Sequence, residues 1–187
     1  MLEKIQIKVR AVSEIIGNQD VGRIIVTDNE ETMQIAIVCD DIMKREIHRR
    51  LSHEKICNTM LPETLVNILR QQDRLHYEII INDISDGDYR AMLVNTETYQ
   101  PLSMRASDAI LLHVISHIPL FATLQLMKRQ AVPVMPGTAA MAIPYNALTD
   151  KMLEDALKKA IELERYEMAS TIRDELKRRG KLPPLDL

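Results

Sequence analysis

The amino-acid sequence predicts an α+β fold, a mixed β-sheet packed with helices, followed by a carboxyl-terminal helical hairpin. Three features carry this expectation. Apolar residues near the amino terminus recur with the period of two that marks half-buried strands. From Asp41 onward helical and strand-like segments interleave. Beyond a stretch rich in Pro and Gly the pattern is purely helical.

Ile5, Ile7 and Val9 alternate with Lys4, Gln6, Lys8 and Arg10, so the chain opens on a strand with one buried face. Ile24 to Thr27 and Met33 to Val38 are two further β-rich runs, and Asp28-Asn29-Glu30-Glu31 between them makes a hairpin. Met43, Ile47 and Leu51 then fall close to helical spacing, with Asp40 or Asp41 placed to cap the first-turn amides. Pro62, followed by Leu65, Ile68 and Leu69, starts a second helix. Tyr77 to Ile84 and Tyr89 to Val94 flank Asp86-Gly87, a pair able to adopt the positive φ angles of a tight turn. Ala106 to Ile118 is apolar around most of its circumference and stops before Pro119, as a buried central helix would. Leu120 to Ala122 fits a short strand and Leu124 to Arg129 a helical turn or two.

Residues 131 to 148 carry Pro133, Pro136, Gly137 and Pro144 without periodicity, which reads as an irregular connection between units. The expected organisation is a first domain over residues 1–135, a linker over 136–149 and a helical hairpin over 150–180. In the hairpin, Leu153, Ala156, Leu157, Ala160 and Ile161 form one apolar face and Ala169, Ile172 and Leu176 another, with Tyr166 between them. Gly180 and then Pro183 stop its second helix. So small a unit cannot cover its own apolar face and is expected to dock on the domain or on another chain.

Composition narrows the function. The 187 residues suffice for a core without disulfides or metal. Cys39 and Cys57 are too few for a disulfide framework and lack zinc-like spacing, so they read as buried free thiols of a reducing compartment. The first residues mix charges with apolar side chains, unlike a signal peptide, and no apolar run reaches the length of a membrane span. A cytoplasmic protein without a membrane partner is expected. A net charge of −3 argues against a wholly basic nucleic-acid-binding surface, and one Phe, five Tyr and no Trp leave little for base stacking.

From Thr64 to Val134 the chain resembles the bifunctional nuclease domain family. The resemblance rests on a helix, a hairpin turning at Asp86-Gly87-Asp88 and running on to Arg90-Ala91-Met92-Leu93, and Arg105-Ala106-Ser107-Asp108-Ala109-Ile110 at the entry of an apolar helix. The family pattern at that entry is Arg-Pro-Ser-Asp-Ala-Ile, with Ala106 in place of the proline. Where the family carries Thr-His-Asp before its second helix, this chain has Leu61, Pro62 and Glu63. The hairpin resembles the UVR domain of excision-repair proteins through Leu157, Ala160, Ile161, Tyr166, Glu167, Ala169 and Ile172-Arg173-Asp174-Glu175-Leu176.

The resemblance implies hydrolysis of DNA and RNA phosphodiesters, with a divalent cation, Mg or Mn, as a possible cofactor. It also implies protein pairing through the hairpin, where Leu157, Ile161, Tyr166, Ile172, Arg173 and Leu176 are the candidate partner-binding residues. Arg105 could stabilise charge on a phosphate and Asp108 could orient water or hold a cation, with Glu63 as a third catalytic candidate. The alternative, which the composition of this helix entry favours, is that Ser107 or Asp108 caps the central helix while Arg105 pairs with a carboxylate. Lys44, Arg45, Arg49 and Arg50, with His48, concentrate positive charge that could grip a phosphate backbone or form a solvated helix face. Asp83, Asp86 and Asp88 read as turn residues, and His113 and His117 as a polar pair favoured by the helix dipole. No metal ligands are assigned. The missing histidine supports an alternative, a catalytically weak or inactive oligomeric scaffold that recruits a DNA-repair or stress-response partner. Open sheet edges make a homo-oligomer the expectation in either case.

Overall fold

A computed structural model of the chain describes residues 3–15, 18–134 and 144–181. The linker expected at 136–149 lies partly, and the helix stop at Pro183 wholly, outside them. Among the described residues eight strands form one mixed sheet: β1 (Lys4–Ile15), β2 (Asn18–Asp28), β3 (Met33–Asp40), β4 (Tyr77–Ser85), β5 (Asp88–Asn95), β6 (Pro101–Arg105), β7 (Leu120–Thr123) and β8 (Val132–Pro133), in the order β6-β5-β4-β7-β1-β2-β3-β8. β4 and β7 run parallel, which suits the helical crossover between them, and the other described pairs are antiparallel. Six described α-helices accompany the sheet: α1 (Asp41–Leu51), α2 (Leu61–Gln71), α3 (Ala106–Ser116), α4 (Leu124–Gln130), α5 (Asp150–Glu162) and α6 (Tyr166–Arg178).

Both expected hairpins form, and the first is longer at its amino-terminal end than the alternation suggests. Asp28 holds the β2–β3 turn, accepting from the amides of Thr32 at 2.7 Å and Met33 at 3.1 Å. At the β4–β5 turn Asp86 has φ 52° and Gly87 φ 87°, the two positive angles that such a turn needs. Two strands appear where none is expected. β6 opens on Pro101 at the sheet edge, where a missing amide costs no ladder bond, and β8 is only two residues of the Pro-bearing connection.

The sheet curls until β3 approaches β5, enclosing one core. Ile24 and Val26 of β2, Ile35 and Ile37 of β3, Ile79 and Ile81 of β4, Leu120 of β7, Ile47 of α1 and Ile110 of α3 are all buried there. α1 lies so close on β2 that a Cβ on Gly22 would stand 2.7 Å from Lys44 Cβ. α3 stops at Ser116, two residues short of the expected end, because His117 takes a left-handed conformation at φ 60°. Cys39 and Cys57 are buried and free.

The carboxyl-terminal helices have a second core of Leu153, Ala160, Ala169, Ile172 and Leu176. Tyr145 and Leu148, from a 3₁₀ turn just before α5, pack against it, so this face is covered within the chain. Gly180, at φ 69°, ends α6: its amide donates to Lys177 O and that of Lys181 to Leu176 O. The unit touches the sheet at the β4–β5 turn, where a Cβ on Gly87 would meet Leu148 O at 2.3 Å.

Candidate functional site

A cleft of about 870 Å³ opens where the end of β3, strands β5 and β6 and the start of α3 converge, with Thr149 and Met152 of the α5 entry on one side. The sheet register decides its chemistry. β5 and β6 pair so that Arg90 stands directly opposite Arg105 and Met92 opposite Ser103. Like charges facing each other across a ladder repel, so two arginines here cost stability unless an anion or a carboxylate joins them.

Arg105 has carboxylate partners. Its Nε donates to Asp108 Oδ2 at 2.7 Å and its Nη2 to Asp108 Oδ1 at 3.0 Å, a two-pronged pair that fixes the guanidinium plane. Nη1 reaches Asp40 Oδ2 at 3.4 Å. The hydrogen bonds that Arg105 donates to Asp108, and then the Asp108 charge, raise the Arg105 pKa above its ordinary value. Asp40 divides its oxygens: Oδ1 caps α1 by accepting from the Met43 amide at 2.7 Å, while Oδ2 serves Arg105. Arg90, by contrast, is exposed and makes no ion pair among the described residues.

Two further features favour an anion. The residue preceding α3 is Arg105, which supplies no side-chain cap, and neither Ser107 nor Asp108 caps the helix as expected, because Asp108 is turned to Arg105. The first amides of α3 therefore have no side-chain partner beside Ala106 and Ser107, which line the cleft. Asn82 sits at a register shift of β4, and its Oδ1 is buried with no hydrogen bond to the protein. Asn82 and Met92 also line an adjoining cleft of about 580 Å³ that carries Lys128 and Arg129 of α4, so the two depressions are contiguous.

The other candidates lie elsewhere. Glu63 faces inward from α2 and accepts from Arg50 Nε at 2.7 Å, so it does not join Arg105 and Asp108. The cations of α1 are neutralised locally: Lys44 bonds Asp41 at 2.8 Å and Glu14 at 3.1 Å, Arg45 bonds Asp41 at 3.0 Å, Arg49 bonds Glu46 at 3.0 Å, and Arg50 bonds Glu46 at 2.8 Å. Lys44 and Arg50 are buried as well. Asp83 pairs with Arg129 at 3.5 Å, beside the turn formed by Asp86. At the carboxyl end of α3, His113 Nδ1 donates to Ile118 O at 2.7 Å, while burial lowers the His113 pKa. In the carboxyl-terminal hairpin Ile172 and Leu176 are buried and Leu157 partly so, whereas Arg173, Ile161 and Tyr166 are exposed, the last two beside Leu163 and Met168.

Among the described residues no three His, Cys, Asp or Glu side chains stand together as a metal site. Asp40, at the cleft wall, and Asp108, beside it, are both engaged by Arg105, and Asp88 on the β5 wall stands apart from them without an ion pair among the described residues; with Arg90 and Arg105 facing each other, this set fits an anion better than a resident divalent cation. No helix of the described residues is long and apolar enough to cross a membrane.

Of these residues, Arg90 and Asn82 are those that sequence reasoning does not single out, and the β5–β6 pairing is the signal that would have found Arg90. No curated protein matches the chain. The family model of the bifunctional nuclease domain matches residues 24–135, which take in the second half of β2, β3 through β8 and every side chain of the cleft except Val21, Thr149 and Met152. The match spans more than half of the chain, which belongs to the bifunctional nuclease domain family.

Proposed function

We propose that the chain is a nuclease that seats a DNA or RNA phosphodiester in the Arg90–Arg105 cleft. The observation that carries this reading is the unneutralised Arg90 facing Arg105 across the β5–β6 ladder, beside helix amides without a side-chain cap. A phosphate between the two guanidinium groups removes their repulsion and takes charge-assisted bonds from both. Such contacts read the backbone and not the bases, so sequence choice is weak.

For hydrolysis, Arg105 transfers hydrogen bonds from Asp108 to the phosphate, and the freed carboxylate accepts a proton from the attacking water. The water oxygen bonds to phosphorus, the bond to the leaving oxygen breaks, and that oxygen takes a proton from solvent. The carboxyl-terminal hairpin serves as a UVR-like protein-pairing module, with Ile161 and Tyr166 at its contact face. A second reading, a non-catalytic scaffold that binds nucleic acid and recruits a repair or stress partner, draws support from Asp40 and Asp108 both being held by Arg105.

Cleavage and binding of labelled single- and double-stranded DNA and RNA test this, with magnesium, manganese or chelator, on the native chain and on Arg90→Gln, Arg105→Ala and Asp108→Asn. The nuclease reading expects cleavage lost in Asp108→Asn and weaker binding in Arg90→Gln, with a salt slope shallower by about one phosphate contact. Binding without cleavage gives the scaffold reading, and unchanged binding in both arginine variants removes the cleft from either.

A further inference from the structure

The carboxyl-terminal hairpin forms part of the cleft without being bonded to the domain that carries it. Thr149, which caps α5, and Met152, in its first turn, line the cleft, and the other walls belong to the sheet and to the entry of α3. Among the described residues no hydrogen bond or ion pair runs from residues 144–181 to the sheet or its helices. Asp86 acts on Arg178 by charge alone, across a depression of about 320 Å³ that Ser85, Asn146 and Glu175 also line. What joins the two is contact. Ala147 is fully buried in the core of the sheet domain, and Leu148 O lies against Gly87. Such contact is non-directional, and a unit with its own small core and no bonds to its neighbour opens locally at a low cost.

The hairpin is a wall and not a plug, because the cleft of about 870 Å³ exists with the hairpin in place. Its two lining residues suit an occupant. Thr149 Oγ1 accepts from the Met152 amide at 3.4 Å, and its proton has no acceptor among the described residues, so the hydroxyl is left to donate to a phosphate or sugar oxygen. Met152 lies outside the hairpin's own core and is half-buried, and a thioether on an unbranched stem adapts its shape to an aromatic base. Asp150, the carboxylate of the first turn of α5, is turned to Arg179 at 3.1 Å, so its charge is already matched.

We infer that nucleic acid seated in the cleft also touches Thr149 and Met152 and thereby holds the hairpin on the sheet, so that binding and hairpin docking are coupled. This coupling rests on the Arg90–Arg105 cleft being the binding site. An occupant that touches both units binds the docked state better than the open one, and that difference in affinity is what shifts the docking equilibrium. By reciprocity, whatever draws the hairpin off the sheet weakens binding by the same factor.

Hydrogen exchange on the full chain, with and without a short oligothymidylate in chelator, tests this at the junction itself. The reporting amides are those of Ala147 and Leu148, which donate to Pro144 O and Tyr145 O, and those of Met152 and Leu153, which donate to Thr149. With the oligonucleotide at about a hundred times its Kd, their protection should rise severalfold, with a ceiling of about a hundredfold. Met152→Glu should abolish that rise and weaken oligonucleotide binding severalfold, by setting a carboxylate against the phosphates. The fold tolerates this change, because a glutamate three residues after Thr149 completes a capping box at the start of α5. Met152→Leu, which keeps the apolar contact, should behave as the native chain does. Native binding that leaves the junction amides unchanged overturns the coupling, and if Arg90→Gln weakens that binding the cleft reading stands. A fall in protection on binding also overturns it, since the hairpin then gives way to the strand. A native chain that binds no oligonucleotide overturns the cleft reading and the coupling with it.

Discussion

Replacing Arg179 with methionine should open the carboxyl-terminal hairpin while the sheet stays closed. The side chain is 1% exposed and donates to Glu175 at 2.8 Å, to Asp150 at 3.1 Å, and to the carbonyls of Leu148 at 2.7 Å, Asn146 at 3.2 Å and Tyr145 at 3.3 Å. It thereby ties the end of α6 to the turn and the first residue of α5. Methionine keeps the apolar stem but supplies no donor, leaving two carboxylates and three carbonyls short of a partner. Removing one member of a buried pair costs about 3–5 kcal/mol. Asp150 is about one-third exposed and Glu175 keeps Arg178, so the lower bound, about 3 kcal/mol, applies here. Because α5 and α6 share their own small core, the loss falls on a local opening. That energy raises the open population about a hundredfold. Hydrogen exchange should show amides between Leu153 and Leu176 losing about two orders of magnitude of protection, with those of β2 and β4 unchanged. Unaltered protection in α5 and α6 would refute the locking role of Arg179. An equal loss throughout the chain would refute separate opening.

Acid should act on the same unit. The Glu175 pKa is held at about 2, below its ordinary 4.5, chiefly by hydrogen bonding to Arg178 and then, against the opposing effect of burial, to Arg179. A depressed folded-state pKa contributes stability above the unfolded value and loses it as pH falls through the folded one. Hairpin protection should therefore decline from about pH 4.5 towards pH 2 by about 2 kcal/mol, discounted for solvent screening, and Glu175→Gln should flatten that decline. Gly87→Ala forces a side chain into φ 87° and sets its Cβ 2.3 Å from Leu148 O. The conformation alone costs about 1–3 kcal/mol, and a melting midpoint unchanged in this variant would contradict the docking of the β4–β5 turn on that carbonyl. Burial pushes the Cys39 thiol up to about 12, so at pH 8 a thiol reagent should leave it unlabelled in the folded chain and label it in urea; rapid labelling of folded protein would contradict that burial.

Much of the architecture follows from local pattern. Alternation over Ile5–Val9, the Asp86-Gly87 pair and the apolar run before Pro119 each specify an element without help from distant residues. β6 escapes such reading because Pro-Leu-Ser-Met-Arg is short and opens on a proline, and only its partner β5 makes it a strand. The 3₁₀ turn at Tyr145–Ala147 escapes for the same reason. Its first residue, Tyr145, and Leu148 just after it cover an apolar face that an isolated helical hairpin would leave bare.

Periodicity also states that a helix has an apolar stripe without stating which way the stripe faces. In α2 the direction is set by two polar anchors, Glu63 to Arg50 and Arg70 to the end of α3, whose partners lie 13 and about 45 residues away in the chain. Their inward bonds leave Leu61, Leu65 and Ile68 outside. The cleft has the same logic. Arg105 and Asp108 are adjacent on a helical turn and legible together, but Arg90 becomes their neighbour only through strand register, and Asp40 only because the sheet curls to bring the end of β3 to the start of α3. Local composition thus identifies the anchored half of the cleft, the Arg105–Asp108 pair. The half left free to meet an anion, Arg90, is a product of long-range pairing, which makes Arg90→Gln the substitution that separates a binding cleft from a helix entry stabilised for its own sake.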